Sequence, residues 1–278
     1  MRPRFDFGLF TMPAYEFFAI LGAVLAFALV LTLNAKHKAF RMPLVDVVLF
    51  FLYVLLGVFI GGRLLFAITQ IPLMIEDPSV IASVFLLGGQ VFYGGLIGGI
   101  VAGFLYVKAY GLDPVVYIRL ATIAIPLGHG CGRLGCFFTG CCHGKPTDSI
   151  FGVRFPDSAL HPGGSEPLHP TQLYETGFNA LLFAVLLLIL FRYRGKNRWL
   201  IPGTYLLAYP LFRFSVEFLR GDDLRGMALL STSQWISIPL FILGVWMVSG
   251  KFKAPRFLQK TPPWSKKHRE RLKKNASA

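Results

Sequence analysis

The segment Phe212-Arg213-Phe214-Ser215-Val216-Glu217-Phe218-Leu219-Arg220 sets three ionisable side chains in an apolar run. Arg213 and Glu217 stand four apart and Glu217 and Arg220 three apart, so on a helix the three share one face. Charge at membrane depth is costly, and it marks function unless it merely ties helices together as a salt-bridge ladder. Here one carboxylate faces two guanidiniums, and Arg63 and Arg133 add positive charge elsewhere in apolar surroundings. That surplus asks for an anion. Guanidinium forks bind phosphate through paired hydrogen bonds, which makes a lipid phosphate the expected ligand.

A second set is chemically softer. All four cysteines fall in the stretch from Gly128 to His143, at positions 131, 136, 141 and 142, with His129 and His143 flanking them. Six such donors could hold zinc or another soft metal. The spacing Cys-x4-Cys-x4-Cys-Cys matches no common zinc pattern. A disulfide between the adjacent Cys141 and Cys142 has poor geometry. The remaining readings are small buried side chains in a glycine-rich turn, or a reactive thiol. Further along, His169-Pro170-Thr171-Gln172-Leu173-Tyr174-Glu175 leads into an apolar run. Thr171 is expected to cap that helix, with Glu175 in its first turn favourable to the helix dipole. Phe92-Tyr93-Gly94-Gly95-Leu96-Ile97-Gly98-Gly99 is glycine-rich inside another run, and small residues let helices pack closely. Tyr15 and Tyr93 fit either an interfacial aromatic belt or hydroxyl groups directed at a site.

The elements that must position these residues are apolar runs. A spanning helix needs about 20 mostly apolar residues. Seven runs qualify as candidates: residues 14–33, 45–68, 91–110, 115–131, 172–191, 202–219 and 234–248. Residues 80–87 are apolar but too short, and suit a re-entrant or interfacial segment. Loop charge sets the expected orientation. Lys36, Lys38 and Arg41 follow the first run, Arg192, Arg194, Lys196 and Arg198 follow the fifth, and a basic tail follows the seventh. All three fall on one side if seven runs span. The other side receives Glu76, Asp77, the loop 144–170, Asp222 and Asp223. The loop's Pro, Gly, Ser and Asp content suits irregular structure. The expected fold is an all-α integral membrane protein with about seven transmembrane helices, N-terminus out and C-terminus in. The expected organisation is one transmembrane domain over residues 1–250 and a basic cytoplasmic tail over 251–278.

Composition agrees. Of the 278 residues 54% are hydrophobic and 15% charged, against about 25% charged in soluble domains, so there is too little polar surface to wet a soluble globule. Much of the net charge of +14 lies in the tail, from Lys251 to Lys274. Beside an apolar segment such a tail reads more simply as an anchor to anionic lipid headgroups than as a nucleic-acid-binding arm. No cleavable signal peptide is expected, because the first apolar run is long enough to span.

Four blocks occur together and in order: Gly94-Gly95-Leu96-Ile97-Gly98, Gly132-Arg133-Leu134-Gly135, His169-Pro170-Thr171-Gln172-Leu173-Tyr174-Glu175, and Phe212-Arg213 with Glu217 and Arg220. In this the chain resembles the prolipoprotein diacylglyceryl transferases, from about residue 14 to 243. The resemblance implies seven transmembrane helices with N-terminus out, in the cytoplasmic (inner) membrane of a bacterium. It implies transfer of the diacylglyceryl group of phosphatidylglycerol to the lipobox cysteine thiol of a preprolipoprotein. The implied partners are phosphatidylglycerol, that signal peptide and membrane lipids, with no nucleic acid, metal or organic cofactor. It assigns Arg213, Glu217, Arg220, Tyr93 and Tyr15 to catalysis, and Arg133, Gly135, Gly94, Gly95, His169 and Gln172 to substrate binding. The chain departs from the family pattern where Tyr93 stands for a histidine proposed as general base, Cys136 for an asparagine and Cys141 for an acidic residue. Tyrosine is a weak base at its ordinary pKa of about 10 unless nearby arginines lower it. Three other readings compete with the assigned reaction: a relative with the same fold and another acceptor, a lipid-binding protein without turnover, and a Cys/His metal or redox membrane protein.

Overall fold

The structure is a computed structural model of the full chain, and it describes residues 4–8, 10–155, 166–220, 226–227 and 230–255. It is mainly helical. In chain order the helices are α1 (Ala14–Lys36), α2 (Leu44–Thr69), α3 (Ile71–Glu76), α4 (Ile81–Leu87), α5 (Phe92–Ala109), α6 (Pro114–Thr139), α7 (Thr171–Arg192), α8 (Leu200–Val216) and α9 (Thr232–Val248). Seven of them lie on the seven apolar runs. Five, α1, α2, α5, α6 and α7, are long and apolar enough to cross a bilayer. α8 and α9 have 17 residues each. At 1.5 Å per residue they are about 26 Å long, a little under a hydrocarbon core of about 30 Å. Residues 80–87 form the end of a 3₁₀ turn (Pro78–Val80) and the seven-residue α4, too short to span.

Three antiparallel pairs of short strands complete the secondary structure: β1 (Arg4–Asp6) with β2 (Thr11–Pro13), β3 (Val153–Arg154) with β4 (Pro167–Leu168), and β5 (Gly226–Met227) with β6 (Leu230–Ser231). The loop 144–170 is therefore not wholly irregular. Pro146 also bridges to Leu168, and Phe155 is buried. Asp222, Asp223 and the tail from Arg256 lie outside the described residues.

The chain divides into two compact units, Met1–Leu33 with Ile118–Lys253, and a second built on Asn34–Tyr117. In the second unit α2 and α5 pack along their length. Gly57 and Gly61 on α2 meet Gly98 and Gly94 on α5, and a β-carbon at any of the four would collide with the opposite backbone. In lipid no hydrophobic effect drives helices together, so close backbone approach and dispersion do the joining. Tyr106, Val107, Leu112 and Tyr117 form this unit's buried cluster, with Phe50 against it. Arg63 donates to the Gly88 carbonyl and lies 5.8 Å from the Phe59 ring. It is thus tied to backbone within this unit.

In the first unit α8 packs on α7 and α9. Ser231 and Gln234 form a reciprocal capping box at the start of α9, satisfying two backbone amides that a helix start otherwise leaves open. Leu182, Leu186 and Leu190 bury one stripe of α7. Outward apolar residues such as Leu181, Leu188 and Trp246 stay exposed, as a surface solvated by lipid requires.

Candidate active site

α6 runs eight residues past the predicted span, to Thr139, so Gly132-Arg133-Leu134-Gly135 is helix rather than turn. Packing against α1 overrides the glycines' poor helix propensity. Gly22 and Gly135 leave room for the two backbones: a β-carbon on Gly135 would lie 3.0 Å from the Tyr15 Cα, and one on Gly22 2.9 Å from the Cys131 Cβ. Tyr15 begins α1 at this contact and lies within electrostatic reach of Arg133.

α8 ends at Val216, earlier than the predicted 219. Glu217–Leu219 is a 3₁₀ turn, and Arg220 is extended. The three-residue stripe on one helix is therefore only partly realised. Arg213 and Glu217 keep the i, i+4 pair at 2.6 Å. Arg220 leaves the helix because its backbone bridges to Gly144, with the Lys145 amide donating to the Leu219 carbonyl at 2.8 Å. A side chain on Gly144 would strike that same carbonyl, so only glycine fits the approach.

Glu175 gathers these elements. It is fully buried at the fifth position of α7. Arg133 Nε lies 2.7 Å from its carboxylate, Arg220 Nη1 3.9 Å, Arg213 Nη1 4.0 Å and His129 Nε2 3.7 Å. Neither carboxylate oxygen has a hydrogen-bond partner in alignment among the described residues, so these are ion contacts. Among the described residues three guanidiniums thus meet two carboxylates, Glu175 and Glu217. Arg213 also donates to Ser233 Oγ at 3.1 Å. Glu175 is not a dipole partner in the first helical turn, as the sequence suggests. Nor does Thr171 cap α7. Pro170 occupies the cap, and the Thr171 hydroxyl donates to the Cys142 carbonyl at 2.8 Å.

Two further side chains join this cluster: Tyr209, which the sequence reading does not assign, and His129, which it offers only as a soft-metal donor. Tyr209 lies within electrostatic reach of Arg133 and 5.2 Å from the His129 ring. His129 precedes Arg133 by four, and Tyr209 precedes Arg213 by four. Extending the face of each arginine one turn towards the N-terminus would have found both. Gln172 is fully buried and donates to the Cys141 carbonyl at 2.6 Å. His169 Nδ1 lies 3.2 Å from the Tyr174 hydroxyl, and its amide and carbonyl bond to Lys145 and Gly144. Both residues thereby brace the segment after α6. Cys142 lies in that segment. Its thiol is held below the ordinary value by hydrogen bonding with Cys136 and Cys141, and further by the Arg220 guanidinium.

Tyr93, Gly94 and Gly95 belong to the second unit. Tyr93 is half-exposed at the start of α5, edge-on to Phe92, while Gly94 and Gly95 lie against α2.

The sequence model described as prolipoprotein diacylglyceryl transferase matches residues 4–249. The chain belongs to the prolipoprotein diacylglyceryl transferase family. A phosphatidylglycerol–prolipoprotein diacylglyceryl transferase of Clostridium tetani is 33% identical over 248 residues, covering 87% of this chain and 94% of the relative. One from Rickettsia typhi is 31% identical, covering 88% and 94%, and one from a Marinomonas species is 33% identical, covering 74% and 76%. This member of the family is a multi-pass membrane protein by its five long apolar helices. It reaches the arginine cluster with Cys136 and Cys141 beside it, where the family pattern described above has an asparagine and an acidic residue.

Proposed function

We propose that this chain transfers the diacylglyceryl group of phosphatidylglycerol to the lipobox cysteine thiol of a preprolipoprotein. Supporting it is the convergence of Arg133, Arg213 and Arg220 on the buried Glu175, three guanidiniums against two carboxylates among the described residues. In the reaction the acceptor thiolate attacks a glyceryl carbon, a thioether forms, and glycerol phosphate leaves with the electron pair of the broken C–O bond. Charge grows on the departing phosphate. Fixed guanidiniums shielded from water stabilise that charge without having to reorganise.

Residue roles follow from placement. Arg133 holds the headgroup phosphate. Arg213 and Arg220 stabilise the leaving group, and Glu217 orients Arg213. Glu175 keeps three like charges together that would otherwise repel. Tyr15 presents its hydroxyl beside Arg133. Gly135, His169 and Gln172 act by placing α1 and the segment after α6, and Gly94 and Gly95 by holding α5 on α2. Tyr93 stands where the family pattern carries the histidine proposed as base; a phenol already holds its proton, so the acceptor's proton passes to water.

The proposed setting is the inner membrane of a bacterium, with the N-terminus outside and the basic tail in the cytoplasm. Lys36, Lys38, Arg41 and the Arg192–Arg198 loop would then face inward. Reporter fusions after Lys38 and after Lys253 are expected to be cytoplasmic.

The decisive test incubates the purified protein in phosphatidylglycerol micelles with a lipobox peptide. Mass spectrometry is expected to show the peptide gaining one diacylglyceryl group. A peptide that stays unmodified while a relative lipidates it under the same conditions overturns the assignment.

A further inference from the structure

Of the six sulfur and imidazole donors between His129 and His143, the fold gathers three. The sulfurs of Cys136, Cys141 and Cys142 lie within 4.8 Å of one another, and all are free thiols. The other three donors point elsewhere. His129 faces Glu175, Cys131 packs at the α1 contact, and His143 lies against Phe155.

The gathering is built by the backbone. α6 delivers Cys136 in its last turn. The chain then doubles back through Gly140 at φ +79° and Cys142 at φ +63°, and the Cys141 amide returns to the Cys136 carbonyl at 3.1 Å. Cys142 is the one non-glycine residue in the left-handed region among those described. A β-carbon is disfavoured there, and such residues persist where the surroundings over-determine them. Here the surroundings are Thr171 and Gln172, both fully buried, which bond the Cys142 and Cys141 carbonyls at 2.8 and 2.6 Å. Both cysteine carbonyls are pinned to α7, and the thiols are left to face one another.

Three thiols gain little from each other, because S–H is a weak donor and sulfur a weak acceptor. A soft cation changes that. Metal–sulfur bonds of about 2.3 Å in a tetrahedral site set the sulfurs about 3.8 Å apart, a small rotation from the observed cluster. Charge also balances. A dication on three thiolates carries one net negative charge, and Arg133 and Arg220 both act electrostatically on Cys142.

We propose that Cys136, Cys141 and Cys142 form a binding site for one thiophilic d10 cation, zinc(II) or copper(I). Three metal–sulfur bonds form, three protons pass to solvent, and no electron is exchanged. The fourth position stays open to water or another oxygen donor. The site does not depend on the transferase reading.

The test uses the full chain in detergent, reduced and then freed of reductant without air. Cadmium(II) is the spectroscopic probe, since its thiolate bonds absorb in the near ultraviolet, and zinc(II) and copper(I) are the competitors. The expected result is one cadmium per chain with that absorption, displaced by either competitor. Cys136→Ser and Cys142→Ser each weaken binding by more than about tenfold, and Cys131→Ser leaves it unchanged. Fully reduced wild-type protein that takes up no stoichiometric metal overturns the proposal, whatever the variants do. So does uptake that survives C136S/C141S/C142S, or a disulfide within the cluster whose reduction restores no metal binding.

Discussion

The α2–α5 contact and the α6–α7–α8 cluster solve the same problem in opposite ways. Each holds helices together in a medium where apolar surface gains nothing by meeting apolar surface. Along α2 and α5 the answer is subtraction. Gly57, Gly61, Gly94 and Gly98 remove side chains until backbones touch. Around Glu175 the answer is charge. One fully buried carboxylate draws in guanidiniums from α6, from α8 and from the segment beyond it. The glycine seam carries no charge and so supports no chemistry of its own. The ionic cluster gathers more guanidiniums than carboxylates among the described residues, and in the proposed reaction that surplus meets the headgroup phosphate.

That contrast can be broken first at Glu175. Glu175→Ala leaves three guanidiniums without their shared counter-charge, and breaking a buried ionic group of this kind costs about 3–5 kcal/mol. The expected outcome is loss of the monodisperse protein in detergent, read by size exclusion and thermal unfolding. Glu175→Gln keeps the shape, and is expected to fold better while still failing to transfer.

Arg213→Lys comes next. It retains the charge but loses the fork that spans Glu217 and Ser233. Transfer is expected to fall by about 10²–10³, with the unfolding temperature nearly unchanged. A large thermal shift with intact turnover would make Arg213 a structural tie instead.

At the seam the signs reverse. Gly61→Leu overpacks α2 against α5 and is expected to destabilise by about 1–3 kcal/mol or more, seen as a lowered unfolding temperature. Protein that remains folded is expected to keep an ionic cluster whose phosphate affinity is unaltered. The smallest effect belongs to Ser231→Ala, which opens the capping box of α9 for about 1 kcal/mol. Transfer by that variant should match wild type at low temperature and fall only on warming.

Much of this was legible beforehand. Six of the seven runs match their helices to within three residues at each end, because hydropathy is a property of each segment alone, while α6 extends eight residues past its predicted end. The errors sit at helix ends, where a tertiary partner intervenes. α6 continues through Gly132 and Gly135 because α1 lies against it, and α8 stops at Val216 because the Gly144 backbone bridges to Arg220. Glu175 was seen but given a local role. Its partners come from other helices, and spacing along one helix cannot reveal them.

The amino-acid sequence alone determined that the chain lives in a membrane, which residues are too costly there to be idle, and which family it resembles. Each of these follows from local composition or from short ordered motifs. Only the tertiary structure decided that Glu175 is the hub, that Tyr209 and His129 belong with the arginines, and that three of six soft donors converge. Those are statements about side chains far apart along the chain. Their encounter is set by helix packing and by which buried carboxylate the guanidiniums can all reach.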